Sequence, residues 1–154
     1  PYAIQVVERS VYSDRYCFAK NCYELGYMNA LEWKLYKEWF AWLTASYVAK
    51  PDGFIYLRTD PKVCYERLLK RSRQEEAKIS LEYIKKLHDK HEEWLIAKKD
   101  CHEVGTIPIL VLECDADFET NKAEQEQHID RVGSFVLSNV PSSGSQAPIS
   151  PLIG

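Results

Sequence analysis

The 154-residue chain is long enough for one domain with a hydrophobic core, and its apolar content, with four Trp and ten Tyr, is that of a globular protein rather than a disordered one. A net charge of -3 excludes a broad basic surface for bulk nucleic-acid binding, so any anion site has to come from a local cluster. The five Cys lack a C-x-x-C pair or a Cys/His metal spacing, which argues against a disulfide framework and a zinc site and for free thiols in a reducing compartment; the apolar runs are too short to span a bilayer, and no signal peptide is visible.

The sequence opens on Pro1 and goes straight into Tyr2-Ala3-Ile4-Gln5-Val6-Val7, an apolar run expected to be a buried strand that continues from an upstream part. Ser10 is placed to cap a helix running through Tyr16 and Tyr23 towards Gly26. Asn29-Ala30-Leu31-Glu32 has the form of a capping box for the next helix. There Leu31, Leu35, Trp39, Trp42 and Leu43 recur at helical spacing, with Tyr36, Phe40 and Tyr47 widening the apolar face, which is expected in the core or at a subunit interface. Lys50-Pro51-Asp52-Gly53 is a turn signal, and Phe54-Ile55-Tyr56-Leu57-Arg58 a buried strand.

Asp60-Pro61 reads as N-cap and first helical position of a helix with Val63, Leu68 and Leu69 inward, ending in Lys70-Arg71-Ser72-Arg73. Gln74 to Ile79 is loop-like, and Ser80 caps a helix to about Ala97 with Leu81, Ile84, Leu87, His91 and Leu95 on one face. A last strand is expected within Ile107 to Leu112 and a last helix from about Asn121 to Ser138, while residues 139–154 form a flexible Pro/Ser/Gly-rich tail. Apolar strands separated by helices imply an α/β fold with a parallel sheet covered on both faces. In such sheets ligands bind beyond the carboxyl ends of the strands, so Glu8-Arg9-Ser10, Arg58-Thr59-Asp60 and Glu113 to Phe118 should share one edge.

Four constellations carry chemistry. Glu8 at a strand end suits Mg²⁺ and Arg9 suits phosphate, although Glu8-Arg9-Ser10 is equally a solvated strand end with a cap. Arg67 and Arg71 lie one helical turn apart and Arg73 follows; guanidinium groups converging on one point need an anion between them, such as a transferring phosphoryl group. A solvated charged face is the alternative. Glu75-Glu76 just beyond could accept from a sugar hydroxyl or simply balance charge. Asp14 and Phe18, one turn apart, could take a base by its exocyclic amine and its face, or be a surface Asp and a core Phe. His88 and His91 suit core and surface roles better than a metal.

Together the segments ERSVYSDRYCFAKN (8–21), YLRTDPKVCYERLLKRSRQEE (56–76) and LEYIKKLHDKHEEWLI (81–96) resemble the animal-type deoxyribonucleoside kinases, which include deoxycytidine, deoxyguanosine, mitochondrial thymidine and insect multisubstrate kinases. The resemblance covers roughly residues 1–138 and implies a P-loop kinase-type parallel sheet flanked by helices, lacking here its N-terminal strand and phosphate loop. It implies transfer of the γ-phosphate of ATP or another NTP to a deoxynucleoside 5′-hydroxyl, with Mg²⁺. By position, Glu8 matches the acidic residue near the metal, and Arg9 the arginine at the 5′-hydroxyl. Asp14 and Phe18 match base contacts, and Arg67, Arg71 and Arg73 the lid arginines. Glu76 matches the glutamate at the sugar 3′-hydroxyl, and Asp117-Phe118 the donor-base loop. A homodimer through the helix starting at Asn29 is also implied.

Asp14 matches the deoxycytidine and deoxyguanosine kinases and suits an amino-bearing base, whereas Arg58-Thr59-Asp60-Pro61 and Tyr65 to Arg71 are more similar to the thymidine and insect type. The six Gly are Gly26, Gly53, Gly105, Gly133, Gly144 and Gly154, and no G-x-x-x-x-G-K-[ST] occurs. The isolated chain is therefore expected to be inactive. Competing readings are a thymidylate-kinase-like nucleoside monophosphate kinase and a non-catalytic nucleoside-binding or dimerisation protein. No nucleic-acid or membrane partner is expected, and the compartment, cytoplasmic or mitochondrial, is left open.

Overall fold

The computed structural model describes residues 4–101 and 104–139; the tail expected beyond Asn139 lies outside them. The first helix, α1, is continuous but changes winding: an α-helical turn Val11–Ser13, a π-helical segment Asp14–Ala19 and an α-helical end Lys20–Glu24. Ser10 starts it as expected, in a reciprocal cap in which the Ser13 N–H donates to Ser10 Oγ and the Ser10 N–H to Ser13 Oγ. Gly26, at φ +78°, turns the chain after it. Helix α2 (Ala30–Ser46) opens on the Asn29/Glu32 capping box, with Asn29 Oδ1 accepting from the Leu31 and Glu32 N–H groups.

Strand β1 (Phe54–Arg58) pairs in parallel with β2 (Ile109–Glu113), Tyr56 opposite Val111 and Arg58 opposite Glu113. Helix α3 (Pro61–Arg71) starts on Asp60, whose Oδ1 accepts from the Lys62 N–H at 2.8 Å. After a 3₁₀ turn (Gln74–Glu76), α4 (Leu81–His91) starts on Ser80 and runs on into a second π-helical segment, Glu92–Ile96. Helix α5 (Lys122–Asn139) follows β2.

Aromatic packing joins the layers. Tyr12 and Tyr16 of α1 meet Phe40 of α2 edge-on, Tyr12 and Trp94 do the same to Phe54 of β1, and Tyr16 stacks on Trp94 at 5.3 Å. The two π-helical segments therefore face each other through the Tyr16–Trp94 stack. Cys17, Leu95, Cys101, Val104 and Ile107 complete this core.

Several expectations are corrected. Ile4–Val7 is exposed and forms no strand, since it makes no ladder with β1 or β2. On α2, whose apolar face is expected in the core or at a subunit interface, Leu31, Leu35, Trp39 and Trp42 lie outside the core and are exposed, Trp39 at 62%, while Phe40 is buried at 5%. Leu69 is exposed rather than inward, and the last strand starts at Ile109 although Ile107 is buried. The sheet is not covered evenly, since Leu112 is buried but its register partner Leu57 is 59% exposed. No helix among the described residues is long and apolar enough to cross a membrane.

Candidate functional site

Arg9 sits just before the cap of α1 in the left-handed region, at φ 62°. A non-glycine residue held there costs on the order of 1–3 kcal/mol, and such strain clusters at functional sites. Its guanidinium lies 4.9 Å from the centroid of the Phe18 ring. Phe18 belongs to the π-helical segment, a winding that recurs at functional sites, and meets the His91 ring edge-on at 6.3 Å. His91 in turn stacks on Tyr56 at 5.8 Å and 10°. Its Nδ1 lies 2.7 Å from the Leu87 carbonyl, which only accepts, so Nδ1 carries the proton. Burial holds the His91 pKa below its usual 6.5, and the nearby charges of His88 and Arg9 act in the same direction.

Behind His91 lies a network that the sequence reading did not single out. The Tyr56 hydroxyl donates to Glu92 Oε1 at 2.9 Å, and Arg58 grips the same carboxylate through Nε at 3.0 Å and a terminal nitrogen at 2.9 Å. The other terminal nitrogen of Arg58 reaches Glu113 on β2 at 3.3 Å. Burial, and then the bond to Glu92, push the Tyr56 hydroxyl well above the usual tyrosine range. The available signal was the period of a strand, which puts Tyr56 and Arg58 on one face. Their partner on α4 is 34 residues from Arg58, beyond any local pattern.

Asp14 is exposed and accepts from the Tyr36 hydroxyl at 2.5 Å, across from α2. Burial, and then that bond, raise the Tyr36 pKa above its ordinary value. Tyr36 stacks on Trp33 at 5.6 Å, Trp33 stacks on Tyr23 at 5.0 Å, and Arg15 lies over Trp33 at 4.5 Å. The structure thus places Phe18 with Arg9 and Asp14 with Tyr36, one helical turn apart. Glu8 is exposed, next to Arg9.

The arginine-rich segment continues where α3 ends. Ser72, at φ 52°, reverses the chain in the C-cap position that glycine more often fills. That reversal brings Arg73 back beside Arg71. Arg71 forks onto Glu76, through Nε at 3.1 Å and a terminal nitrogen at 2.7 Å, and Arg73 lies 3.8 Å from the same carboxylate. Arg67 is not part of this gathering. It donates to the carbonyls of Cys114 (2.7 Å), Asp115 (3.1 Å) and Ala116 (2.9 Å) and lies over the Phe118 ring at 5.4 Å. One turn nearer the sheet than Arg71, it reaches the loop after β2 instead.

In that loop the Asp117 carboxylate accepts from the Thr120 hydroxyl at 2.8 Å and the Glu119 N–H at 3.0 Å. Those bonds, the Thr120 hydroxyl first, hold Asp117 below the usual carboxylate range. Phe118 also faces His128 at 6.1 Å. The Asp60 N–H donates to Asp115 at 2.6 Å, so the segments after β1 and β2 share one edge as expected. Arg9 reaches β1 through Phe18, His91 and Tyr56. No group of three or more His, Cys, Asp or Glu able to hold a metal occurs among the described residues, and His91 is half-buried between Phe18 and Tyr56.

These features define an α/β protein with a parallel two-stranded sheet flanked by helices and a cluster of Arg71, Arg73 and Glu76 at the end of α3. The chain belongs to the deoxynucleoside kinase family: the family model described as Deoxynucleoside kinase matches residues 2–137. It is 48% identical over 142 residues to deoxycytidine kinase 2 of Gallus gallus, covering 89% of this chain and 54% of that protein. It is 45% identical over 138 residues to the mitochondrial deoxyguanosine kinase of Xenopus laevis (86% and 52% covered) and 46% over 134 residues to deoxycytidine kinase 1 of Xenopus laevis (84% and 51%). The chain spans about half the length of these relatives.

Proposed function

We propose that the complete protein containing these residues is a deoxyribonucleoside kinase, transferring the γ-phosphate of ATP or another nucleoside triphosphate to the 5′-hydroxyl of a deoxynucleoside. The observation that carries this reading is the lid, where Arg71 and Arg73 both lie against the single carboxylate of Glu76. Two cations on one anion leave an excess of positive charge, and a transferring phosphoryl group is an anion that forked guanidinium groups match. When Arg71 turns to the phosphate, Glu76 is released to accept from the sugar 3′-hydroxyl. Arg9 holds the 5′ end of the acceptor, Phe18 offers its face to the base, and Asp14 accepts from an exocyclic amine. Arg67, Asp117 and Phe118 form the donor-base side.

Magnesium, bound with the triphosphate, would neutralise its charge. An exposed carboxylate such as Glu8 suits an ion that keeps water and phosphate oxygens as its other ligands. Asp14 favours an amino-bearing base, in keeping with relatives named deoxycytidine and deoxyguanosine kinases. The exposed Leu31, Leu35, Trp39 and Trp42 face of α2 supports a homodimer, since an apolar stripe of this kind is the usual mark of a subunit contact. The reading places the enzyme inside the cell, in the cytosol or the mitochondrion.

The 154 residues hold no Gly-rich phosphate loop, so the isolated chain is expected to be inactive and the complete protein active. Arg71→Ala in the complete protein should lower kcat by on the order of 10²-fold or more through lost transition-state stabilisation. A coupled assay with deoxynucleosides checks both statements. Robust turnover by the isolated chain would refute the first, an unchanged kcat in the variant would sink the lid assignment, and an inactive complete protein would favour a non-catalytic nucleoside binder.

A further inference from the structure

We propose that His91 is a positioning residue for the nucleoside site: its ring, clamped against Tyr56 and tied to the Leu87 carbonyl, holds the Phe18 ring at the angle needed to stack on a base. The proposal rests on the reading of Phe18 as the base-stacking ring.

The geometry supplies three constraints on one imidazole. Its face lies nearly parallel to Tyr56, at 10°, which fixes its plane. Its Nδ1–H bonds to the Leu87 carbonyl at 2.7 Å, which fixes its rotation about the side chain. Tyr56 is itself anchored through its hydroxyl to Glu92, which Arg58 holds from two sides. A ring so fixed holds Phe18 in an edge-to-face contact, the two rings standing at 87°. Edge-to-face contact depends on angle because the ring edge is positive and the face negative. An aliphatic side chain of similar volume would fill the space but prefer no angle.

The backbone of both partners is held as well. Phe18 lies in one π-helical segment, His91 immediately precedes the other, and Tyr16 stacked on Trp94 packs the two together. Arg9 lies over the same Phe18 ring at 4.9 Å. A neutral imidazole tolerates that guanidinium nearby, and burial together with the Arg9 charge keeps His91 neutral. His91 touches no reacting atom in this arrangement. It acts through Phe18.

The test measures nucleoside KM, donor KM and kcat for the complete protein and its His91→Leu, His91→Phe, Phe18→Ala and His91→Leu/Phe18→Ala variants. His91→Leu should raise nucleoside KM by roughly two- to tenfold, the range of an aromatic pair, with kcat and donor KM unchanged. His91→Phe, which keeps a ring edge, should recover most of the loss. In the Phe18→Ala background His91→Leu should add nothing further. If His91→Leu fails to fold, His91→Gln, a ringless side chain with a donor, replaces it. The proposal is overturned if Phe18→Ala raises nucleoside KM while the ringless variant does not. It is also overturned if Leu and Phe at position 91 act alike, or if the His91 effect persists undiminished without Phe18. If Phe18→Ala itself leaves nucleoside KM unchanged, the base-stacking reading falls and takes this proposal with it.

Discussion

The wall behind Phe18 and the lid around Glu76 are both built from charged and aromatic side chains, yet they are held in opposite ways. In the wall, His91 stacks on Tyr56, Tyr56 donates to Glu92 and Arg58 grips the same carboxylate, and Tyr56 belongs to the same core as the Tyr16–Trp94 stack. In the lid, Arg71 and Arg73 are about half exposed and are tied by ion pairs to Glu76. Exposed pairs of this kind contribute on the order of 0.2–1 kcal/mol, so on the proposed function Arg71 and Arg73 could leave Glu76 for an incoming phosphate at little cost. The wall cannot rearrange without disturbing the core.

The largest expected effect tests the fixed side. Phe40 is 5% exposed and takes the edges of Tyr12 and Tyr16, which connect to Trp94 and the wall. Phe40→Ala in the complete protein should cost about 3–5 kcal/mol, measured by denaturant unfolding. Its neighbour Trp39 points outward at 62% exposure. Trp39→Ala should change the stability of the folded subunit by no more than about 0.5 kcal/mol while weakening self-association in sedimentation. Equal costs at the two positions would mean that α2 buries its other face.

That contrast also shows what the sequence carried. Caps were legible because they are local: Ser10, Asn29, Asp60 and Ser80 each open the helix expected of them. The gathering of Arg71 and Arg73 on Glu76 was legible as well, because the three lie within one short stretch of chain. The choice between core and surface for Leu31, Leu35, Trp39 and Trp42, which the sequence leaves open, was not legible, because α2 carries large apolar residues around most of its circumference and periodicity cannot choose between its stripes. Ile4–Val7 was misread because apolar content describes a strand's side chains and not its ladder. Arg67 has the right helical spacing to Arg71, but its partners at residues 114–116 lie 47 to 49 positions away.

A middle-sized effect follows from keeping His91 neutral inside the wall. Its folded pKa lies below 6.5, so as pH falls through about 6.5 the unfolded chain binds a proton that the folded protein resists. Stability is therefore full above that value and declines below it, with a slope of at most about 1.4 kcal/mol per pH unit for one proton. The groups facing the ring set this balance. Burial, His88 and Arg9 oppose a positive charge on the ring, the Leu87 carbonyl and Glu92 favour it, and Tyr56 and Phe18 offer no charge at all. Unfolding curves between about pH 7.5 and pH 5.5 should show a shallower decline in His91→Phe than in the parent. Parallel curves would mean that His91 titrates as freely in the folded protein as in the unfolded chain.

The smallest expected effect tests the exchangeable side. Arg73 lies 3.8 Å from Glu76 with its side chain 57% exposed, so Arg73→Ala should alter stability by less than about 0.5 kcal/mol. The same change removes one of two cations facing the phosphate site and should lower kcat, with nucleoside KM held by the wall. Raising ionic strength should likewise weaken the lid pairs before it touches the stacked rings, because exposed charges are screened and apolar contacts are not. If Arg73→Ala destabilised the protein by as much as 2 kcal/mol, the lid would be part of the fixed framework. An incoming phosphate would then have to break structure in order to bind, and the contrast between the two sides of the site would fail.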